Sequence, residues 1–170
     1  NITNVTNDIT NVTVIEPTPP DNQQDSSCEG CGGADPLAQT FKVSPNNASG
    51  GNGLFVTSID VYFQAKDLTL PVTMELRNVV SGFPGPKILP FGRVVKLPAD
   101  VNISDTAATA TTYTFPSPVY VEAETEYCIV AICNTENHKV WISRMGETEI
   151  GGTRQVQDQP HLGVLFKGHN

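Results

Sequence analysis

Cys28 and Cys31, in "SSCEGCGG", are the first residues along the chain whose type and spacing could do chemistry, as half of a zinc site or as a redox pair. Zinc would need two further ligands, and the sequence holds no second C-x-x-C and no H-x-x-x-H. A thioredoxin-like pair needs a strand before it and a helix after it, whereas the flanks here are "DNQQDSS" and "GGAD". Three readings stay open: a flexible hinge with incidental thiols, a disulfide within or between chains, or a metal shared between chains. The other two cysteines, Cys128 and Cys133 in "YCIVAICN", lie five positions apart in an expected strand, so they face opposite sides and cannot bridge each other.

Other chemistry is scarce. His138, His161 and His169 fall in turns or strand edges, and none has a Cys, Asp or Glu at ligand spacing within a regular element. Glu122, Glu124 and Glu126 in "VEAETE" suggest the paired carboxylates of glycoside hydrolysis, but they read as a solvated turn between strands. Calcium held between loops through Asp60, Asp67, Asp100 or Asp105 fits a β domain, and no spacing singles those residues out. No nucleophile elbow, zincin helix, phosphate loop or dinucleotide fingerprint is present, and "GGNG" at 50–53 runs into a strand as a hairpin turn would. The expectation is a protein that is not an enzyme and that needs no cofactor. For sugar binding the aromatic supply is thin: Trp141 is the sole tryptophan, and with Tyr62 and Tyr120 it could form a small stacking platform. Packing of Trp141 into the core or an interface is the competing reading.

Elements able to position such residues are β-strands. The runs "TFKV", "LFVTSIDVYFQA", "PVTMELRNV", "GRVVKL", "TTYTF", "VYVEA", "EYCIVAIC", "KVWISR" and "LGVLF" are separated by turn-rich stretches such as "SPNNASGGNG", "SGFPGPKILPFG" and "PADVNISD". In the second run Phe55, Ile59, Val61 and Phe63 share one face, and in the third Val72, Met74 and Leu76 alternate with Thr73, Glu75 and Arg77. "YCIVAIC" is apolar on both faces and is expected at the centre of a sheet. About nine strands and no amphipathic helix predict an all-β fold, an antiparallel sandwich of jelly-roll type.

Before this domain, residues 1–15 carry a heptad pattern. Ile2, Val5, Ile9 and Val12 are spaced 3, 4 and 3 apart, with only Asn, Thr and Asp between them. A strand cannot gather those four residues on one face. Fourteen such residues are marginal as an isolated helix, so association would have to order them, and β-branched residues at both seam positions favour three strands. The competing readings are a disordered linker and N-glycan acceptors, since Asn1, Asn4, Asn11, Asn47 and Asn102 all sit in N-x-[ST]. Residues 16–34 form a Pro/Gly/Ser-rich, acidic linker, and residues 35–170 the sandwich. A net charge of −8 and a pI near 4.7 argue against nucleic acid or an anionic membrane as partner. The longest apolar run, "CIVAIC", is too short to span a bilayer, and the thiols suggest synthesis in a reducing compartment. The start without Met and a final strand close to the end suggest an excerpt of a longer polypeptide.

The domain's wording also carries a resemblance. "DPLAQTF", "GLFVTSIDVYFQAKD", "PVTMELRNVVSGFPGPKILPFGRVVKLPADVNIS", "TFPSPVYVEAETEYCIVAICNTENHKVWISRMGE" and "QPHLGVLFKG" resemble a module of baseplate-wedge or tail-fibre-associated proteins of contractile-tailed bacteriophages, notably those of cyanobacteria. More broadly, "F-P-S-P-V-x-V-x-x-x-T-x-Y" is similar to a β-sandwich module of bacterial surface and carbohydrate-associated proteins. The "CEGCGG" hinge departs from the family pattern, and family copies continue beyond "GVLFK". The resemblance implies a structural virion component, made in the bacterial cytoplasm and carried in the tail as a baseplate or tail-fibre adaptor. Its implied partners are itself, as a homotrimer through Ile2, Val5, Ile9 and Val12, other tail proteins, and host-surface glycans. The alternative is a carbohydrate-binding sandwich module, with Trp141, Tyr62 and Tyr120 as contacts.

Overall fold

The computed structural model describes residues 36–45, 51–143, 145–148, 153–157 and 163–167. The heptad positions Ile2, Val5, Ile9 and Val12 and the pair Cys28 and Cys31 lie outside them, as do His161 and His169. Among the described residues eight strands follow in order: β1 (Leu37–Lys42), β2 (Gly53–Ala65), β3 (Val72–Val80), β4 (Phe83–Lys96), β5 (Ala110–Glu122), β6 (Glu126–Ile132), β7 (Lys139–Val140) and β8 (Leu165–Lys167). They form a five-stranded sheet ordered β4-β3-β6-β1-β8 and a three-stranded sheet ordered β5-β2-β7, with every strand pairing antiparallel. The fold is all-β. A 3-10 turn follows β4 at Pro98–Asp100, where proline's fixed φ suits the first position.

Side chains from both sheets meet in one core. Val72, Met74 and Leu76 project from β3, Ile59 and Phe63 from β2, and Tyr113, Phe115, Val119 and Val121 from β5. Leu76, Val121 and Tyr113 are completely shielded from solvent. Each such side chain contributes about 1.5–3 kcal/mol relative to leaving it exposed. The apolar-on-both-faces run "YCIVAIC" is the middle strand of the larger sheet, as expected. Tyr127, Ile129 and Ala131 of β6 point to the main core, and Cys128, Val130 and Ile132 to a smaller apolar cluster on the other face.

Four expectations about strands need correction. "SGFPGPKILPFG" is not a breaker, because Phe83–Lys96 is one long strand through Pro84, Pro86 and Pro90. Proline cannot donate to a ladder, and β4 tolerates three of them because it is an edge strand. Their cost appears as slippage: between Glu75↔Arg93 and Arg77↔Ile88 the edge strand advances five residues against two, and Phe91 takes φ 62° inside that bulge. Likewise "TTYTF" and "VYVEA" are one strand, β5, joined through "FPSP", where Val56↔Val119 gives way to Ser58↔Thr114. That irregularity also overturns the expected face of Phe55. Leu54 and Val56 pack on the core before it and Ile59, Val61 and Phe63 after it, so Phe55 turns outward and is 50% exposed. Finally, "KVWISR" contributes only the two-residue β7.

Candidate functional site

Phe55 and Tyr120 face each other directly across β2 and β5, and side chains of such pairs share a sheet face. Their ring centroids are 5.2 Å apart at 55°, Tyr120 is 44% exposed, and its hydroxyl donates to the Asn52 carbonyl at 3.1 Å. The backbone comes close here because Gly53 leaves room: a Cβ on it would stand 2.6 Å from the Tyr120 hydroxyl and collide with the Val121 carbonyl. An exposed aromatic pair therefore exists, but it is not the expected one. Tyr62 lies opposite Ala110 at the far end of β2, seven residues from Phe55, or roughly 23 Å along a strand.

Trp141, expected as a candidate contact, is 7% exposed and therefore no stacking platform. Its indole N–H donates to the Ser104 carbonyl at 2.7 Å and its backbone N–H to the Tyr62 carbonyl at 2.9 Å, so both of its donors are used internally. Ser104 N–H in turn donates to the Phe63 carbonyl at 2.9 Å. Trp141 thus fastens the 101–105 loop to β2.

Asp67 is equally committed. One carboxylate oxygen accepts from the Thr69 amide (2.7 Å), the Thr69 hydroxyl (2.8 Å) and the Leu70 amide (2.9 Å), and the other from Thr135 Oγ1 (3.0 Å) and Asn137 Nδ2 (2.7 Å). These bonds, led by that from Asn137, hold its carboxyl well below the usual carboxylate range. With five donors on two oxygens, Asp67 clamps two loops together and has no lone pair turned to a cation. His138 completes the clamp: its Nδ1 accepts the Asp67 amide at 3.3 Å, which leaves Nε2–H to donate to the Leu70 carbonyl at 3.0 Å. Among the described residues no group of three His, Cys, Asp or Glu side chains is placed to hold a metal ion. Glu124 sits in the β5–β6 turn at φ 59° and pairs with Lys42 at 2.5 Å, a solvated turn as its sequence suggests.

The outer face of the five-stranded sheet is more unusual. One row of paired residues crosses all five strands: Arg93, Glu75, Val130, Ala38 and Phe166. Glu75 is 3% exposed and held by two guanidinium groups. Arg77 Nε donates to its Oε2 at 2.7 Å and Nη2 reaches the same oxygen, while Arg93 Nε lies 3.5 Å from Oε1. Beyond Glu75 the row becomes apolar. Ala38, Val130 and Ile132 floor a shallow cavity of about 360 Å³, with Pro84 and Phe166 beside it and Arg77 and Lys167 also lining it. Phe83, 64% exposed, extends the apolar wall by packing on Phe166 with centroids 5.7 Å apart. Next to the row, Cys128 is fully buried, and burial pushes its thiol upward from the ordinary value. Cys128 lies in β6 and Cys133 just past its end, and they pack on opposite faces as their spacing requires.

Sequence reasoning had Val130 and Phe166 only as strand residues and left Ala38 just before the first expected strand, "TFKV", which in the structure begins earlier, at Leu37. Their convergence depends on the β6-β1-β8 order, for which the text of the chain carries no local signal. No protein family, no curated protein and no solved structure was found to match the chain.

Proposed function

We propose that this chain is a structural, non-enzymatic component of a bacteriophage tail, a baseplate or tail-fibre adaptor that works by holding protein surfaces together. The observation that carries the reading is where the polar groups have gone. Asp67, Trp141 and Glu75, the groups best suited to chemistry, are spent on internal bonds, while large apolar side chains stand on outer faces and on the β4 edge. Phe83, Phe91 and Val95 of that edge, and Leu97 just past its end, are all more than half exposed, which suits a surface covered by neighbours. Two antiparallel sheets sharing one core support a sandwich, and eight strands with the first beside the last support the jelly-roll form. The resemblance in wording over residues 35–170 supplies the phage assignment, and the heptads at Ile2, Val5, Ile9 and Val12 supply a homotrimer. Tethered in threes, weak individual contacts add up to firm attachment.

Immunogold electron microscopy with antiserum against the 170-residue chain tests the assignment on particles purified from the culture that expresses it. Label on tails is the expected result; unlabelled particles, with the chain left in the soluble lysate, overturn it. A second reading, a carbohydrate-binding module for host glycans, now rests on Phe55 and Tyr120 in place of Trp141. Glycan-array binding lost in Tyr120→Ala would favour it.

A further inference from the structure

We infer that the cavity on the outer face of the five-stranded sheet is a docking groove for an extended segment of a partner protein that carries a carboxylate beside apolar side chains. The inference deepens the assembly reading by naming a surface and the chemistry of what it takes.

Charge is the first argument. The chain as a whole is strongly acidic, with a net charge of −8. Around this groove the balance reverses: Arg77, Arg93 and Lys167 stand against Glu75, whose carboxylate is already shared by the two arginines. Glu126, on the same face of β6, stands across from Lys42 and away from the groove. Lys167 is exposed at the lining of the cavity and has no ion pair among the described residues. An occupant with a negative group is therefore favoured over a basic one. Nucleic acid fits poorly, because an apolar floor of Ala38, Val130 and Ile132 offers nothing to a phosphate backbone.

Shape is the second. The apolar part of the row spans β6, β1 and β8, two interstrand gaps, or roughly 10 Å. An extended peptide covers that length in about three residues. Such a segment would lie across the strands and bind through side chains. Strand addition at the β4 edge is opposed by Pro84, Pro86 and Pro90, which leave that edge short of amide donors. The packed Phe83–Phe166 pair and Pro84 give the groove a wall built from rigid rings, which lose little freedom when a partner settles on them.

Panning a random heptapeptide display library on the full chain tests this without assuming the partner. The expected result is enrichment of peptides with Asp or Glu next to Val, Ile, Leu or Pro. Binding of a labelled enriched peptide should fall at least about fivefold in Lys167→Glu, which reverses an exposed charge, and should be retained in Lys167→Arg. Equal thermal melting of the variants guards against a folding artefact. The inference is overturned by no enrichment over the blank support, by enriched peptides without an acid, or by binding indifferent to Lys167→Glu. None of these outcomes bears on whether the chain is found in tails.

Discussion

Tyr113 offers a sharp test of the core. It lies between the sheets with no exposed surface, and its hydroxyl has no hydrogen-bond partner among the described residues. An unsatisfied buried hydroxyl costs about 1–3 kcal/mol. Replacing Tyr113 by Phe removes that cost and gives up only the dispersion contacts of one oxygen, so a net gain of about 1 kcal/mol follows. For a domain of this size that is a rise in Tm of about 4 °C, measurable by circular dichroism and checked by the urea midpoint. The same burial pushes the phenol far above its ordinary value of 10.0. Because the folded state holds the proton more tightly than the unfolded one, the associated stability is complete below pH 10.0 and is lost as pH rises above it. In the variant the alkaline loss should be shallower, and one phenolate step should vanish from the ultraviolet titration. A lower Tm for Tyr113→Phe would refute the reasoning, since it would mean that the hydroxyl is bonded.

Three further outcomes follow from the same geometry. Leu76→Ala, at a position with no solvent exposure, should destabilise by about 2–5 kcal/mol in urea unfolding, with the slope unchanged. Gly53→Ala should destabilise by about 1–3 kcal/mol, because its methyl group meets the Val121 carbonyl and the Tyr120 hydroxyl, and Tyr120→Phe should relieve little of that. Asp67 has a depressed folded pKa, so its contribution is present above the ordinary value of 3.8 and is lost as pH falls below it. Urea midpoints measured from neutral pH into acid should therefore fall more steeply for the native chain than for Asp67→Asn, and parallel curves would contradict the clamp.

What the sequence made legible was local. Strict alternation in "PVTMEL" placed Val72, Met74 and Leu76 in the core, and the doubly apolar "YCIVAIC" announced a central strand, because each residue's face follows from its own position. Phe55 was misplaced for the same reason. One irregularity opposite "FPSP" shifts the phase, and nothing in "LFVTSI" marks it. The prolines of "FPGPKILPFG" looked like breakers because the sequence does not say which strand will be an edge. Both candidate surfaces arise from pairing between distant segments. Tyr120 meets Phe55 across 65 positions and Phe166 meets Ala38 across 128, so their residue types were visible and their neighbourhoods were not. Trp141 shows the converse: a residue conspicuous in the sequence turns out to be a fastener between a loop and β2.

The central claim is a tethered assembly module, and its most direct test is the mass of the full chain in solution under reducing conditions. Light scattering should give three times the 18.3 kDa of one chain. The double variant Val5→Asp, Ile9→Asp, which puts charge into the proposed seam, should return to 18.3 kDa. A native chain that stays at 18.3 kDa across the micromolar range would contradict the account.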